Sequence, residues 1–238
     1  MMQFDSQISG KICHVVGGGD FSPALLRQNY AKGDLLIAAD RGAELLLGAG
    51  IAPQIVIGDF DSSTGDPTEF PGEVIYLPVE KDDTDLAAAA FLGFERGFRQ
   101  IFLYGALGGQ RFSHSLSAVQ LLAALHDKGC KAAVLDENCT LLLLQNGSLS
   151  LIGGRLTDGS NDEDGFLDRL PITTQRGSLL SLFVLSDRAT VSERGLKYPL
   201  DHGKLTNRYP LGVSNEFTDG DAMIEVQDGC SLLVFESF

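Results

Sequence analysis

The stretch "IFLYGALGGQRFSHSLSAVQLLAALHDKGCKAAVL", residues 101–135, holds one complete strand–helix–strand pattern. A β-rich apolar run stands at each end, and the apolar residues between them recur at helical spacing over 115–128. Gly129 then follows, a residue type that commonly ends a helix. Two strands joined by a helix of this length are normally parallel, with a right-handed crossover.

The same alternation of short strands and helices extends from the N-terminal part of the chain to about Asp136. The candidate strands are "KICHVV", "LLIAA", "IVI", "VIYLP", "IFLY" and "KAAVL", and the candidate helices cover 23–31, 42–47, 85–96 and 115–128. In the last helix, the face expected to pack on a sheet consists of Leu116, Val119, Leu122, Ala123 and His126. The pattern predicts an α/β domain with a mainly parallel sheet over residues 1–136.

The sequence changes in character after Asp136. Short strand-like runs are divided by Gly, Asn, Asp and Pro, which predicts an all-β sandwich or barrel. Asn146-Gly147 predicts a tight hairpin turn, because this dipeptide supplies positive φ angles. The polar, acidic segment 157–171 predicts a loop.

Composition excludes several classes of function. The 238-residue chain has a formal net charge of −14, which disfavours a nucleic acid or an anionic membrane as the main partner. Its four cysteines lie far apart without a CxxC pair, so their spacing indicates neither a zinc site nor a disulfide framework. No secretory signal or bilayer-length apolar run is evident, and we therefore expect a soluble, cytoplasmic protein.

Polar residues cluster directly after the predicted strands of the first half. The clusters are 17–20, 40–41, 59–62, 81–85 and 105–114. Because the carboxyl ends of parallel strands share one edge of a sheet, we expect these clusters to lie together where such folds bind ligands.

Asp59 and Asp61, in "GDFDS", end one of these strands. If the chain stays extended through Phe60, both carboxylates point to the same side. Two like charges at ~4 Å repel by roughly 4 kcal/mol at an effective dielectric of about 20, and a divalent cation such as Mg²⁺ would reverse that penalty. The alternative is a solvated turn that caps the next element.

The segment "KDDTD", 81–85, brings further acids to the same edge. Thr84 or Asp83 can cap the following helix, and Asp85 falls in its first turn, where the helix dipole stabilises an anion. Capping accounts for one or two acids but not for Asp82, Asp83 and Asp85 together. A shared metal ion accounts for all of them.

The connection "GALGGQRFSH", 105–114, contains glycines that would let the backbone approach a phosphate, followed by Arg111 and His114. It matches neither GxGxxG nor the P-loop pattern, and tight loop geometry alone could explain it. In the second half, Lys197, Tyr198, Ser214 and Asn215 stand out, although turns and strands also use these residue types.

Taken in order, "GDFDS" (58–62), "KDDTD" (81–85), "GGQRFSH" (108–114), "GLKYPL" (195–200) and "SNEF" (214–217) resemble the thiamin pyrophosphokinase family. The resemblance implies an N-terminal α/β domain (1–136) for ATP and Mg²⁺ and a C-terminal β-sandwich (137–238) that binds thiamin. It also implies a homodimer with active sites between subunits. In the implied reaction, the thiamin hydroxyl attacks the β-phosphorus of ATP and AMP leaves.

The resemblance assigns roles to individual residues of this sequence. The implied Mg²⁺ ligands are Asp59, Asp61 and Asp85, with Arg111 as a catalytic contact to phosphate. The implied nucleotide contacts are Asp40, Arg41, Lys81, Asp82, Gly108, Gly109 and His114. The implied substrate contacts are Asp85, Ser113, Tyr198, Ser214 and Asn215.

One motif departs from the family pattern Arg-x-Asp-His. This chain has "RFSH", with Ser113 in the aspartate position. A serine can still donate or accept a hydrogen bond, so activity remains compatible with the change. Two other functions stay open at this point: a diphosphokinase for another hydroxyalkyl heterocycle, such as a pterin, and a non-catalytic nucleotide or thiamin sensor.

Overall fold

The computed structural model describes residues 10–60, 70, 72–80, 82–109, 111–159, 165–172 and 174–237. The chain divides into two compact units, Met1–Glu137 and Asn138–Phe238, here called the N-terminal and C-terminal units. Three predicted features fall at least partly outside the described residues: Asp61, Lys81 and the centre of the 157–171 loop.

The N-terminal unit alternates strands and helices as predicted. Its elements are β1 Cys13–Val16, α1 Pro23–Asn29, β2 Leu35–Ala39, α2 Gly42–Gly48, β3 Ile55–Gly58, β4 Glu73–Tyr76, α3 Asp85–Glu95, β5 Gln100–Tyr104, α4 Phe112–Asp127 and β6 Lys131–Leu135. The strands pair in parallel in the order β6-β5-β1-β2-β3-β4. The chain therefore moves outward from β1 to β4, then crosses to the other side of β1, so the strand order reverses between β1 and β5.

The helices cover a sheet whose central strands are buried on both faces. β1 and β5 are buried at every position, which explains their continuous apolar runs. Gly93 lets α3 lie against β1, since a Cβ atom there would be 2.6 Å from Cys13 Sγ. None of the described helices is long and apolar enough to cross a membrane.

The predicted packing face of α4 is wrong except at Leu122, which is buried. The buried residues are Ala118, Leu121, Leu122 and Leu125, whereas Leu116 is 53% exposed. Both sets obey helical spacing, because "LLAAL" places apolar residues on more than one side of the helix. Periodicity located the helix but could not choose between overlapping faces.

The C-terminal unit is all-β apart from a short 3₁₀ helix, Leu167–Arg169, within the described residues. Its strands are β7 Cys139–Ile152, β8 Arg155–Thr157, β9 Leu179–Val184, β10 Arg188–Arg194, β11 Leu200–Thr206, β12 Asn215–Glu216 and β13 Ala222–Glu236. The long strands β7 and β13 pair antiparallel along their lengths, with an irregularity between Val226 and Cys230. One half of β13 also pairs with β10, and the other half pairs with β9. The predicted fold class, a mainly parallel α/β part followed by a β-rich part, is confirmed.

The predicted hairpin at Asn146-Gly147 is wrong. Asn146 has a positive φ of 45°, but β7 continues through it. Its Oδ1 accepts a hydrogen bond from Gly229 N at 3.2 Å, across from the irregularity in β13. The tight turn lies instead at Gly153-Gly154, between β7 and β8. A positive φ can bend a strand as well as close a hairpin.

Candidate functional site

A cleft of about 280 Å³ opens in the N-terminal unit beside the point where the strand order reverses. Open α/β sheets bind ligands at such a point, outside the carboxyl ends of the strands. The cleft is lined by Gly17, Gly18, Gly19, Ala39, Asp40, Arg41, Thr84, Asp85, Leu86, Gly105, Ala106, Gly108, Gly109, Arg111, His114 and Ser117. Within the described part of the chain, Asp59, Asp82 and Ser113 do not line it.

The floor of the cleft is made of backbone from two glycine loops. Gly17 N donates to Tyr104 O and Gly19 N donates to Gly105 O, both at 2.8 Å. A Cβ atom on Gly19 would lie 2.2 Å from the carbonyl oxygen of Leu107, so no other residue fits without moving the loop. A floor without side chains lets a ligand approach the backbone closely.

The sequence places the cluster 17–20 at this edge of the sheet because it directly follows β1, and Gly17, Gly18 and Gly19 do line the cleft. The motif "VVGGGD" matches no phosphate-binding pattern, so the sequence gives the individual glycines no role.

Asp40 and Arg41 form one side of the cleft where β2 ends. Asp40 has a φ of 47°, a left-handed conformation that is uncommon for a residue other than glycine. Its backbone N–H donates to Ile57 O at 2.9 Å, which holds the end of β2 against β3. Non-glycine strain of this kind is concentrated at functional sites.

The backbone at Phe60 contradicts the premise used to orient Asp59 and Asp61. Phe60 has a φ of 56°, so the chain is not extended through it. Its ring packs against Tyr76 and Phe70, with centroid distances of 5.3 and 6.5 Å. Asp59 is half-buried directly before this turn. Because Asp61 lies outside the described residues, the predicted pairing of the two carboxylates stays a prediction.

The start of α3 contributes a second acid to the cleft. Thr84 Oγ1 accepts a hydrogen bond from Ala87 N at 3.2 Å, so Thr84 rather than Asp83 caps the helix. Asp85 follows in the first turn and lines the cleft. Asp82 and Asp83 are exposed.

The start of α4 contributes a guanidinium, an imidazole and backbone N–H donors. Gly108 and Gly109 have φ angles of 70° and 72°, and they lead the chain to the helix N-terminus at Phe112. Arg111 and His114 line the cleft beside that terminus. The first N–H groups of a helix and its dipole attract anions. This side of the cleft therefore suits phosphate groups.

The donor set suits Mg²⁺ in its chemistry. Asp40, Asp59 and Asp85 offer hard carboxylate oxygens at the ends of neighbouring elements, the ligand type that Mg²⁺ takes together with phosphates and water. The described residues contain no group of three or more His, Cys, Asp or Glu side chains that could hold a metal ion alone. Phosphate oxygens or Asp61 would have to complete the coordination.

In the C-terminal unit, the two sequence motifs around Tyr198 and Asn215 form one structure. Asn215 is 5% exposed, and its Oδ1 accepts from Tyr198 N at 2.9 Å and from Glu216 N at 3.1 Å. Its Nδ2 donates to Tyr198 O at 2.8 Å and to Glu193 Oε2 at 2.7 Å. The Asn215 side chain is thus occupied within the protein, while the Tyr198 side chain is exposed.

Ser214 precedes this buried amide in a left-handed conformation, with a φ of 57°. Its N–H donates to Ser181 Oγ at 3.0 Å, and the residue is exposed. Lys197 Nζ donates to Glu216 Oε2 at 2.7 Å, and this hydrogen bond raises the pKa of Lys197 and lowers the pKa of Glu216. Motifs far apart in sequence are therefore joined side by side.

Glu193 is the member of this structure that sequence reasoning missed. It is 1% exposed on β10, and burial raises its pKa, although the hydrogen bond from Asn215 acts in the opposite direction. Ala189, Val191 and Glu193 alternate along the strand and are all buried, so an acid at an inward position was the available signal.

Comparison with known proteins assigns both units. Residues 26–134 match the family model described as thiamin pyrophosphokinase, catalytic domain. Residues 169–231 match the model described as thiamin pyrophosphokinase, vitamin B1 binding domain. The chain belongs to the thiamin pyrophosphokinase family. Both the catalytic model and the vitamin-binding model match this chain. The two alternatives, a diphosphokinase for a pterin and a non-catalytic sensor, are therefore not favoured.

Individual members of the thiamin pyrophosphokinase family resemble this chain over most of its length. Thiamine pyrophosphokinase of Bacillus subtilis is 25% identical over 205 residues, which cover 84% of this chain and 86% of that protein. Its crystal structure superposes with a TM-score of 0.78 over 95% of this chain and 99% of the other. The enzyme from Geobacillus thermodenitrificans gives a TM-score of 0.73 at 27% identity, over 95% and 98% of the two chains. The Candida albicans enzyme, at 15% identity and a TM-score of 0.74 over 97% and 90%, shares the fold.

Proposed function

We propose that this protein is a thiamine diphosphokinase, which transfers the pyrophosphoryl group of ATP to the hydroxyl of thiamin and releases AMP. The observation that carries the proposal is the glycine-floored cleft, lined by Asp40, Asp85 and Arg111, in the unit that matches the catalytic domain.

The cleft would bind the triphosphate of ATP. Its backbone floor permits close approach, and the N-terminus of α4 together with Arg111 supplies positive charge to phosphate oxygens, with His114 lining the same cleft. Transfer reactions of this kind depend mainly on positioning and on neutralising charge. Gly108, Gly109 and Arg41 would shape the nucleotide side, while Lys81 and Asp82 remain predictions from sequence.

Carboxylates at this edge of the sheet would hold Mg²⁺. The proposed ligands are Asp59, Asp61 and Asp85, and Asp40 would be a further acid of the site. The ion, when bound, would neutralise charge on the phosphates. One of these carboxylates would also orient the thiamin hydroxyl and accept its proton, which requires hydrogen-bond reach in the substrate complex.

The C-terminal unit would bind thiamin around Tyr198 and Ser214. Thiamin carries a cationic ring, which suits the acidic net charge of the chain and the exposed side chain of Tyr198. Lys197 Nζ lies 5.7 Å from the centre of this aromatic ring, so thiamin would use the rest of its exposed surface. Asn215 would contribute by holding the Tyr198 backbone rather than by its own amide, which is occupied. Ser113 would have to replace the family aspartate in any contact to the substrate.

We also propose a homodimer. Four large apolar side chains of the C-terminal unit are exposed: Phe183, Tyr209, Leu211 and Val213. Phe183 and Tyr209 line the same surface pocket, and Leu211 and Val213 lie close to them in sequence. Exposed apolar groups of this size mark interaction surfaces when they cluster. Light scattering should give twice the chain mass, and Leu211→Asp should shift the protein towards the monomer. A wild-type monomer at micromolar concentration would contradict this part of the proposal.

The proposed activity is tested with purified protein, thiamin, ATP and Mg²⁺. We expect thiamin diphosphate and AMP in equal amounts, with no AMP from a pterin alcohol offered instead. A folded protein that releases no AMP with thiamin would contradict the assignment.

A further inference from the structure

A buried acid stands behind the thiamin-binding motifs without contacting the surface. Glu193 is 1% exposed, and its strand neighbour on β13 is the fully buried Ile224. A carboxyl group in such surroundings costs free energy unless its hydrogen bonds compensate. Only Oε2 has a partner among the described residues, the Nδ2 of Asn215 at 2.7 Å, whereas Oε1 has none. Because burying Glu193 costs free energy and Asn215 is its one hydrogen-bond partner among the described residues, we expect the role of Glu193 to lie at Asn215.

That partner controls the backbone of two neighbouring segments. Asn215 bonds both the N–H and the carbonyl of Tyr198, and it also accepts the N–H of Glu216. A side-chain amide can make all these bonds in only one orientation, with the oxygen towards the two N–H groups. Glu193 accepts the remaining Nδ2 hydrogen and so strengthens the preference for that orientation.

The segments held by Asn215 carry the proposed substrate contacts. Tyr198 follows Lys197, whose N–H donates to Glu216 O at 2.9 Å, and Ser214 directly precedes Asn215. A rotation of the amide would release both backbone bonds of Tyr198 and disturb the strained Ser214 beside it.

We propose that Glu193 is a positioning residue for thiamin: it fixes the Asn215 amide, which fixes the backbone that presents Tyr198 and Ser214. The proposal rests on the proposed function for the identity of the ligand. Its structural part, the control of Asn215 by Glu193, stands on the described contacts alone.

The kinetic test compares two variants. Glu193→Leu removes the hydrogen-bond acceptor for Asn215 Nδ2 while keeping a side chain of similar size, whereas Glu193→Gln keeps an acceptor oxygen. For Glu193→Leu we expect KM for thiamin to rise roughly five- to tenfold, with KM for ATP within about twofold, because a buried donor loses its partner. Glu193→Gln should stay within about twofold for both substrates. Equal rises in both KM values, or no change in either, would overturn the proposal.

A matched control comes from the same strand. Thr190 is also buried on β10, but its Oγ1 accepts from Lys204 Nζ at 2.6 Å and makes no hydrogen bond to Asn215 within the described part of the chain. Thr190→Val should leave KM for thiamin unchanged. A rise equal to that of Glu193→Leu would assign the effect to general loosening of β10 and overturn the specific role.

A second measurement needs no substrate and separates this inference from the proposed function. Hydrogen exchange of the Tyr198 and Glu216 amides, both bonded to Asn215 Oδ1, should be faster in Glu193→Leu and unchanged in Glu193→Gln. Unchanged exchange in the leucine variant would overturn the positioning role even in an active enzyme. Faster exchange in a protein that does not turn over thiamin would support the positioning role and refute only the activity.

Discussion

The two units of this protein prepare a site in opposite ways. In the N-terminal unit the cleft floor is backbone from glycine loops, and the charged side chains stand around it. In the C-terminal unit, the backbone at Tyr198 is held by hydrogen bonds to a buried side chain, Asn215, which in turn donates to Glu193. The difference suits the proposed ligands, because phosphates are bound well by N–H groups and dipoles, whereas an aromatic cation needs a fixed surface.

The comparison predicts where single substitutions act, and the largest expected effect is on the acids of the cleft. Asp85→Asn should lower kcat/KM by about 100-fold or more, because an amide cannot supply the negative charge that a metal ligand needs. Asp83→Asn is the matched control, since Asp83 is exposed in the same loop and does not line the cleft. AMP release measures both variants, and equal losses would show that the loop, rather than the cleft, matters.

The backbone floor should be the next most sensitive feature. Gly19→Ala would place a Cβ atom 2.2 Å from Leu107 O, and forcing the loops apart should cost roughly 1–3 kcal/mol of stability and weaken ATP binding. Gly48→Ala is the control, since a Cβ atom there meets no other atom within 4 Å and an alanine suits a helix. Thermal unfolding and KM for ATP test the pair, and a neutral Gly19→Ala would contradict the described apposition of the loops.

The buried amide should come third. Asn215→Ala removes hydrogen bonds to Tyr198 and Glu216 and leaves Glu193 without its partner, which should cost about 1–3 kcal/mol. KM for thiamin should rise while KM for ATP stays the same. A change in KM for ATP alone would contradict the proposal that the C-terminal unit binds thiamin and the N-terminal unit binds ATP.

The smallest expected effect is a pH dependence of stability. Burial raises the pKa of Glu193 in the folded protein, so the folded state holds this proton to higher pH than the unfolded chain does. This glutamate therefore lowers stability progressively as pH rises from its ordinary pKa through the raised one. Glu193→Gln lacks that loss, so its melting temperature relative to wild type should increase as pH rises above the ordinary pKa of a glutamate and should level off above the raised pKa. A constant difference would contradict the assigned pKa direction.

The N-terminal strands and helices, and the edge of the sheet where the site lies, could be predicted from the sequence. The strands, the helices and the common edge for Asp40, Asp85 and Arg111 all follow from apolar periodicity and the rule that parallel strands end together. The same rule also places Gly17–Gly19 at this edge, although no motif pattern covers these glycines.

Other features depend on tertiary packing that a single sequence does not display. Asn146 and Phe60 adopt positive φ angles without forming the turn or the extended segment expected of them. Glu193 gives no local motif, and its role appears only when β10 is placed beside Asn215. The packing face of α4 was hidden because that helix is apolar on several sides.

The central claim, transfer of a pyrophosphoryl group rather than of a single phosphoryl group, is tested most directly with labelled ATP. With wild-type protein, thiamin and Mg²⁺, the account predicts that label from either the β- or the γ-phosphate appears in thiamin diphosphate, while α-label appears only in AMP. Label in ADP, or γ-label in thiamin monophosphate without β-label, would contradict it.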